Sequence, residues 1–141
     1  MKRYVIIAGE TSGDMYGSKL MKLVKENHNE AVSFWGVGGE KMCEEGLFPL
    51  EEMNNISVVG FTEIIKKIPT IVKLLNRLSF FTHEMKPDGI ILIDFPGFNM
   101  KLAKKIKKKS NLLCPIIYFV SPQLWAWNEG RVKIIKKFID K

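Results

Sequence analysis

The chain has 141 residues, 46% of them hydrophobic and 26% charged, with a formal net charge of +7. That length fits one domain with a buried core, and the composition excludes a disordered or collagen-like chain. The charge is uneven: residues 1–100 carry 11 basic and 13 acidic residues (net −2), whereas residues 101–141 carry 11 and 2 (net +9). A basic C-terminal part suits nucleic acid, anionic lipid or a phosphorylated substrate, or is simply a solvated lysine face on two helices.

Tyr4-Val5-Ile6-Ile7-Ala8 reads as a buried strand ending at Gly9. The start of the chain lacks the length and cleavage site of a secretory signal, so a cytoplasmic location is expected. Gly9 to Gly13 is a turn, and a helix is expected from about Asp14 to Lys25. Ala31 to Trp35 is the second strand, stopping at Gly36-Val37-Gly38-Gly39. A short helix over Glu40–Glu45 then ends at Gly46 as a C-cap glycine. Cys43 and Cys114 lie far apart in no CxxC pattern and read as reduced packing residues, with no metal site.

Residues 60–84 carry the clearest helical period. Phe61, Ile64, Ile65, Ile68, Ile71, Val72, Leu75 and Leu78 form one stripe, and Pro69 is expected to kink or divide the segment. Gly89 to Ile93 is a fully apolar strand. Asp94-Phe95-Pro96-Gly97-Phe98-Asn99 turns into a helix reaching about Lys108, Pro115 to Val120 is a strand, and a last helix begins near Asn128.

The expected order is β-α-β-α-α-β-α-β-α. Continuous apolar strands joined by right-handed crossovers give a single α/β domain with an open, doubly wound parallel sheet. Ligands of such sheets bind at the carboxyl ends of strands. Three loops there hold unusual groupings: Gly9-Glu10-Thr11-Ser12-Gly13-Asp14, Asp94 to Asn99, and Ser121 to Trp127.

Each loop has two readings. Backbone N–H groups at Gly9–Gly13 suit an anion, with Ser12 as a donor and Glu10 or Asp14 accepting from sugar hydroxyls; alternatively Ser12 or Asp14 caps the helix. No Gly-Lys-Ser/Thr follows, so this is not a P-loop. There is no G-x-S-x-G elbow, and Lys41 stands where a dinucleotide fingerprint needs its third glycine. Asp94, at the mouth of an apolar crevice, suits a general base, or else it stabilises the helix entry. Trp125 and Trp127 are sugar platforms or packing anchors.

Taken together, the motifs resemble the lipid-A-disaccharide synthase family of glycosyltransferases. They run in order over nearly the whole chain: GETSGD at 9–14, GVGG with Met42 and Gly46, Val59-Gly60-Phe61-Thr62-Glu63, Lys86-Pro87-Asp88, Ile93 to Asn99, and Tyr118 to Trp127 with Gly130-Arg131. The resemblance implies the N-terminal, acceptor-side domain of a two-domain GT-B transferase, inverting and needing no cofactor or metal. The reaction it implies moves 2,3-diacylglucosamine from UDP-2,3-diacylglucosamine to 2,3-diacylglucosamine 1-phosphate, releasing UDP.

Asp94 matches the family's expected base. Gly9, Glu10, Ser12, Gly13, Asp14, Asn99, Ser121 and Trp125 match positions expected at the substrate cleft. Thr11 is a mild departure from a position often small or proline. Gly97 stands where some members have a second aspartate, which favours Asp94 alone as base.

The resemblance further implies peripheral attachment to the inner face of the inner membrane. Ile64, Ile65, Ile68, Ile71 and Val72 would contact acyl chains, although the same stripe also suits packing on the sheet. The second, donor-binding domain of the family is expected to be missing from this chain, which alone should be inactive. A non-catalytic phospholipid or nucleic-acid binder is the alternative, but the basic residues lack interleaved aromatics and no nucleic-acid motif is present. A partner subunit supplying the acceptor face to a separate donor chain is a third possibility.

Overall fold

A computed structural model describes residues 1–57, 64–109, 113–120 and 129–141, with only the backbone of 64–67 and 129. Its elements are β1 (Lys2–Ala8), α1 (Thr11–Asn27), β2 (Val32–Gly38), α2 (Glu40–Glu44), β3 (Leu47–Glu52), α3 (Met53–Ser57), α4 (Ile64–Met85), β4 (Gly89–Ile93), α5 (Pro96–Lys109), β5 (Ile116–Phe119) and α6 (Glu129–Phe138). The five strands form one all-parallel sheet in the order β3-β2-β1-β4-β5, a Rossmann-like arrangement.

Alternate residues of β1 and β4 enter two separate cores, because neighbouring side chains of a strand point to opposite faces. Ile6, Ala8, Ile91 and Ile93 pack with Met21 of α1 and Met42 of α2. Val5, Ile7, Ile90 and Leu92 pack with Ile56, with Ile71, Leu74, Leu75 and Leu78 of α4, with Leu102 and Ile106 of α5, and with Phe138 of α6. Helices thus cover both faces, which is why these strands read as unbroken apolar runs.

Several details depart from the expectations. The second strand does not stop at Gly36 but runs through Gly38. Gly36 permits this: at φ +150 its missing Cβ would lie 1.9 Å from the Ile6 carbonyl oxygen, so no other residue lets β2 approach β1 there. A third strand, β3, was not anticipated. It is an edge strand holding Pro49, tolerated because an edge residue need not donate to the ladder, and its register shifts opposite Gly36 and Val37. Stacking of Phe48 on Trp35, with centroids 4.5 Å apart, fixes it to β2. Helix α4 is continuous with Pro69 inside it; the proline lies near the helix start, where it removes a single backbone bond instead of dividing the element. Helix α1 begins at Thr11, earlier than Asp14.

The outer edge of β5 is occupied by the tail of the chain. Tyr118 N–H donates to the Lys141 carbonyl at 2.7 Å, and Ile116 N–H donates to the Asp140 carboxylate at 2.8 Å. That bond, with Lys107 beside it, holds the Asp140 carboxyl below its ordinary range. Both cysteines are free, and Cys43 is exposed, so it is not the packing residue expected.

Candidate functional site

The order 3-2-1-4-5 reverses direction between β1 and β4, because the chain leaves β1 toward β2 and later returns on the other side of β1 to lay down β4. The carboxyl ends of these two strands flank the crevice that doubly wound sheets use for ligands. Ala8 pairs with Ile93, and Ile93 with Phe119, so the loops after β1, β4 and β5 begin at one level of the sheet.

The loops of β1 and β4 touch. A Cβ on Gly9 would lie 2.6 Å from Cδ1 of Phe95, so the Phe95 ring rests on the Gly9 backbone, and only glycine leaves room for it. Gly13 lets the start of α1 close on the strand ends, with Ala8 Cβ 3.2 Å from where its own Cβ would be. Glu10 is the N-cap residue of α1 but makes no side-chain cap bond; its carboxylate instead accepts from the Ser12 hydroxyl at 3.3 Å. The first turn of α1 therefore keeps N–H groups without a side-chain cap from Glu10, in an orientation that favours an anion.

Asp94 and Phe95 both adopt left-handed backbone, φ 44 and φ 47. Each such non-glycine residue costs about 1–2 kcal/mol, so the surrounding contacts must hold the pair in place. They do so through the Asp94 main chain. Its N–H donates to Phe119 O at 3.1 Å. Its carbonyl accepts from Asn99 Nδ2 at 2.9 Å and from the Tyr118 hydroxyl at 2.5 Å. Asn99 Nδ2 also lies 3.2 Å from Ile93 O. Backbone strain pinned by several independent bonds is a common property of functional sites. The half-buried Asp94 carboxylate itself has no hydrogen-bond partner among the described residues.

Tyr118 was not singled out as a site residue, and its signal was weak: a tyrosine at the last-but-one position of a short strand. Only the register, which sets β5 beside β4, aims its hydroxyl at the Asp94 carbonyl. Burial chiefly, and the nearby Asp94 charge, push its phenol above the ordinary range; Arg131 of α6 pulls the other way, which places a cation close to this rim.

The remaining predicted residues separate. Asp14 is 5% exposed, and its carboxylate accepts from Gly39 N–H at 2.9 Å, Met42 N–H at 3.0 Å and Lys41 N–H at 3.2 Å. It thus caps α2, a helix away from its own. Neither of its two sequence readings, sugar acceptor or cap of α1, anticipated this. Asn99 is fully buried and acts through the Asp94 carbonyl. Ser121 and Trp125 lie outside the described residues, as do the side chains of Ile64 and Ile65. Ile71 is 9% exposed and belongs to the core beneath α4. Its helical angle puts it with Leu74, Leu75 and Leu78, whereas Ile68 (48% exposed) and Val72 (46%) flank that stripe and face solvent. Among the described residues no helix is long and apolar enough to cross a membrane.

Comparison with known proteins agrees with this architecture. Residues 4–141 match the model of the family described as lipid-A-disaccharide synthetase. Similar curated proteins include the lipid-A-disaccharide synthases of Trichlorobacter lovleyi, 42% identical over 139 residues (99% of this chain, 35% of the relative), and Myxococcus xanthus, 39% identical over 139 residues (99% and 35%). That of Koribacter versatilis is 37% identical over 141 residues, covering 100% of this chain and 36% of the relative. The chain spans about a third of the length of these relatives. With its matching profile, its parallel sheet and its motifs at the strand ends, the chain belongs to the lipid-A-disaccharide synthetase family.

Proposed function

We propose that this chain forms the acceptor side of a sugar-transfer site, in which Asp94 is the general base. The acceptor is 2,3-diacylglucosamine 1-phosphate and the donor UDP-2,3-diacylglucosamine. The observation that carries the reading is the Asp94 carboxylate, without a hydrogen-bond partner among the described residues, carried at the switch point on pinned left-handed backbone and joined through Phe95 to the Gly9–Glu10 loop. The name of the relatives, disaccharide synthases, supports the same chemistry.

In this reaction the carboxylate takes the proton of an acceptor hydroxyl as its oxygen bonds to the anomeric carbon of the donor. The bond from that carbon to UDP breaks on the opposite side, and UDP leaves with the electron pair. Attack opposite the leaving group inverts the anomeric centre. General-base assistance of this kind contributes about 10²–10⁴ in rate. The first turn of α1 offers its N–H groups to an anionic group of the substrates. In this reading Ser12 and Glu10 bond sugar hydroxyls, and Ser121 and Trp125 are substrate-binding positions by resemblance. The donor wall is contributed by a further domain, consistent with relatives about three times as long. Substrates with acyl chains place the protein on the inner face of the inner membrane, where exposed Ile68 and Val72 supply apolar contact.

The test uses isotope-labelled protein titrated with the acceptor in micelles. Amide shifts at Gly9, Glu10, Asp94 and Phe95 are expected on binding. Asp94→Asn should leave those shifts within about threefold in affinity and abolish transfer in an assembly that includes the donor domain, because a base acts in the transition state. Acceptor shifts confined to the opposite end of the sheet, or full transfer by the variant, would overturn the reading.

A further inference from the structure

Strands β4 and β5 both leave the sheet through backbone that is costly for the residues present. Asp94 and Phe95 follow β4 at φ 44 and φ 47, and Val120 follows β5 at φ 62. Three of the four described non-glycine residues with positive φ therefore stand at one rim. For a β-branched residue such as Val120 this region is a genuine outlier. Neither turn keeps that geometry through its own sequence, so bonds from outside each turn must hold it.

Those bonds join the two turns to each other. Asp94 N–H donates to the carbonyl of Phe119, the residue before Val120, at 3.1 Å. The Tyr118 hydroxyl donates to the Asp94 carbonyl at 2.5 Å. Tyr118 is in register with Leu92, so its phenol reaches two residues along β4 toward the rim. Its ring packs against the core that holds Ile90, Leu92 and Ile116, which fixes its position. Asn99 donates to the same carbonyl at 2.9 Å, but it belongs to α5, the helix that the turn opens into. Among the described residues Tyr118 is the only side chain of another strand bonded to the Asp94–Phe95 turn.

We propose that Tyr118 is a positioning residue of the transfer site: through the Asp94 carbonyl its hydroxyl fixes the turn that carries the Asp94 carboxylate, and so sets how that base approaches the acceptor hydroxyl. The inference rests on the assignment of Asp94 as the base and adds a residue that acts only through it. The hydroxyl is not itself the acid of the reaction, because its proton is engaged by a backbone carbonyl. Burial, with the Asp94 charge, holds the phenol above its ordinary range against a smaller opposing effect of Arg131, so the proton stays on the oxygen wherever a carboxylate is ionised. The Asp94 carboxylate stands one methylene from the backbone, so a turn that shifts carries the base with it. A displacement of about 1 Å at a reacting group costs about 10²-fold in rate.

The experiment compares the parent, Tyr118→Phe and Asp94→Asn in an assembly that includes the donor domain, with kcat and KM for the acceptor measured across pH. Tyr118→Phe should lower kcat by about 10- to 100-fold, leave KM within about twofold, and leave the acid limb of the pH profile where the parent has it. On the isotope-labelled chain, relaxation dispersion should appear at the Asp94, Phe95 and Val120 amides in Tyr118→Phe and be absent in the parent. A tyrosine that only added stability would leave the kcat of the folded fraction unchanged, and that result would overturn the inference. A raised KM at parent kcat would overturn it too, by making the hydroxyl a substrate contact, as would a displaced acid limb or rigid amides at all three positions. An inactive Asp94→Asn beside a parent-like Tyr118→Phe would overturn the positioning role alone. Full transfer by Asp94→Asn would overturn the base assignment on which it rests.

Discussion

Replacing Asp14 by alanine tests whether this residue is a brace or a substrate ligand. Its carboxylate holds three N–H groups at the start of α2, at 2.9, 3.0 and 3.2 Å, and is nearly fully buried. Hydrogen bonds to a charged acceptor contribute about 1.5–3 kcal/mol each, but three bonds from one cap do not add. Loss of an ordinary cap costs about 0.5–2 kcal/mol; with the donors left unsatisfied in a buried place, about 2–4 kcal/mol is expected for Asp14→Ala. For a domain of this size that lowers the melting temperature by about 8–15 °C. Urea unfolding followed by tryptophan fluorescence measures it directly. Gly39 gives an internal check. A Cβ there would lie 2.6 Å from Asp14 Oδ2, so Gly39→Ala alone should destabilise by displacing the carboxylate. In the double variant the methyl occupies vacated space, and the two effects should sum to less than their separate costs. A loss below about 0.5 kcal/mol for Asp14→Ala would refute the bracing role, and strictly additive effects would refute the contact between the two.

Tyr118→Phe removes one of the two side-chain donors on the Asp94 carbonyl and should cost about 1 kcal/mol, with amide shifts at Asp94 and Phe95; unchanged shifts at both would show that the hydroxyl does not hold the turn. Gly9→Ala drives a methyl into the Phe95 ring and should cost about 1–3 kcal/mol, read from the urea midpoint, while a parent-like midpoint would mean that the ring moves freely. The His83 ring nitrogens are buried without hydrogen-bond partners among the described residues, and burial, with Lys109 nearby, lowers its pKa against a smaller opposing effect of Glu84. The unfolded chain then binds the proton more readily than the folded one between the lowered native pKa and the ordinary value near 6.5, so stability should fall as pH drops through that window. His83→Gln should flatten the dependence; an unchanged slope would assign it elsewhere.

The sequence by itself determined the class of fold and which loops follow its buried strands. Buried runs such as Val5–Ala8 and Gly89–Ile93 are so apolar that only a sheet covered on both faces satisfies them, and parallel crossovers then bring the loops after them to one rim. Asp94 was legible for the same reason, because an acid directly after an apolar strand stands at the rim wherever that strand goes. Strand β3 was not legible: it is six residues with a proline and two glutamates, held by pairing with β2 and by Phe48 on Trp35, contacts that no local pattern announces. The duties of the polar residues were likewise decided in three dimensions. Asp14 and Tyr118 are each defined by a backbone group distant in the chain or across the sheet, and Asn99 by the turn that precedes its own helix. The stripe of α4 shows the same limit, since periodicity gives the angle between Ile71 and Val72 but only the docked sheet decides which of them is covered. Local patterns record what a segment must hide; which atoms meet is settled by the register and packing of segments far apart in the chain.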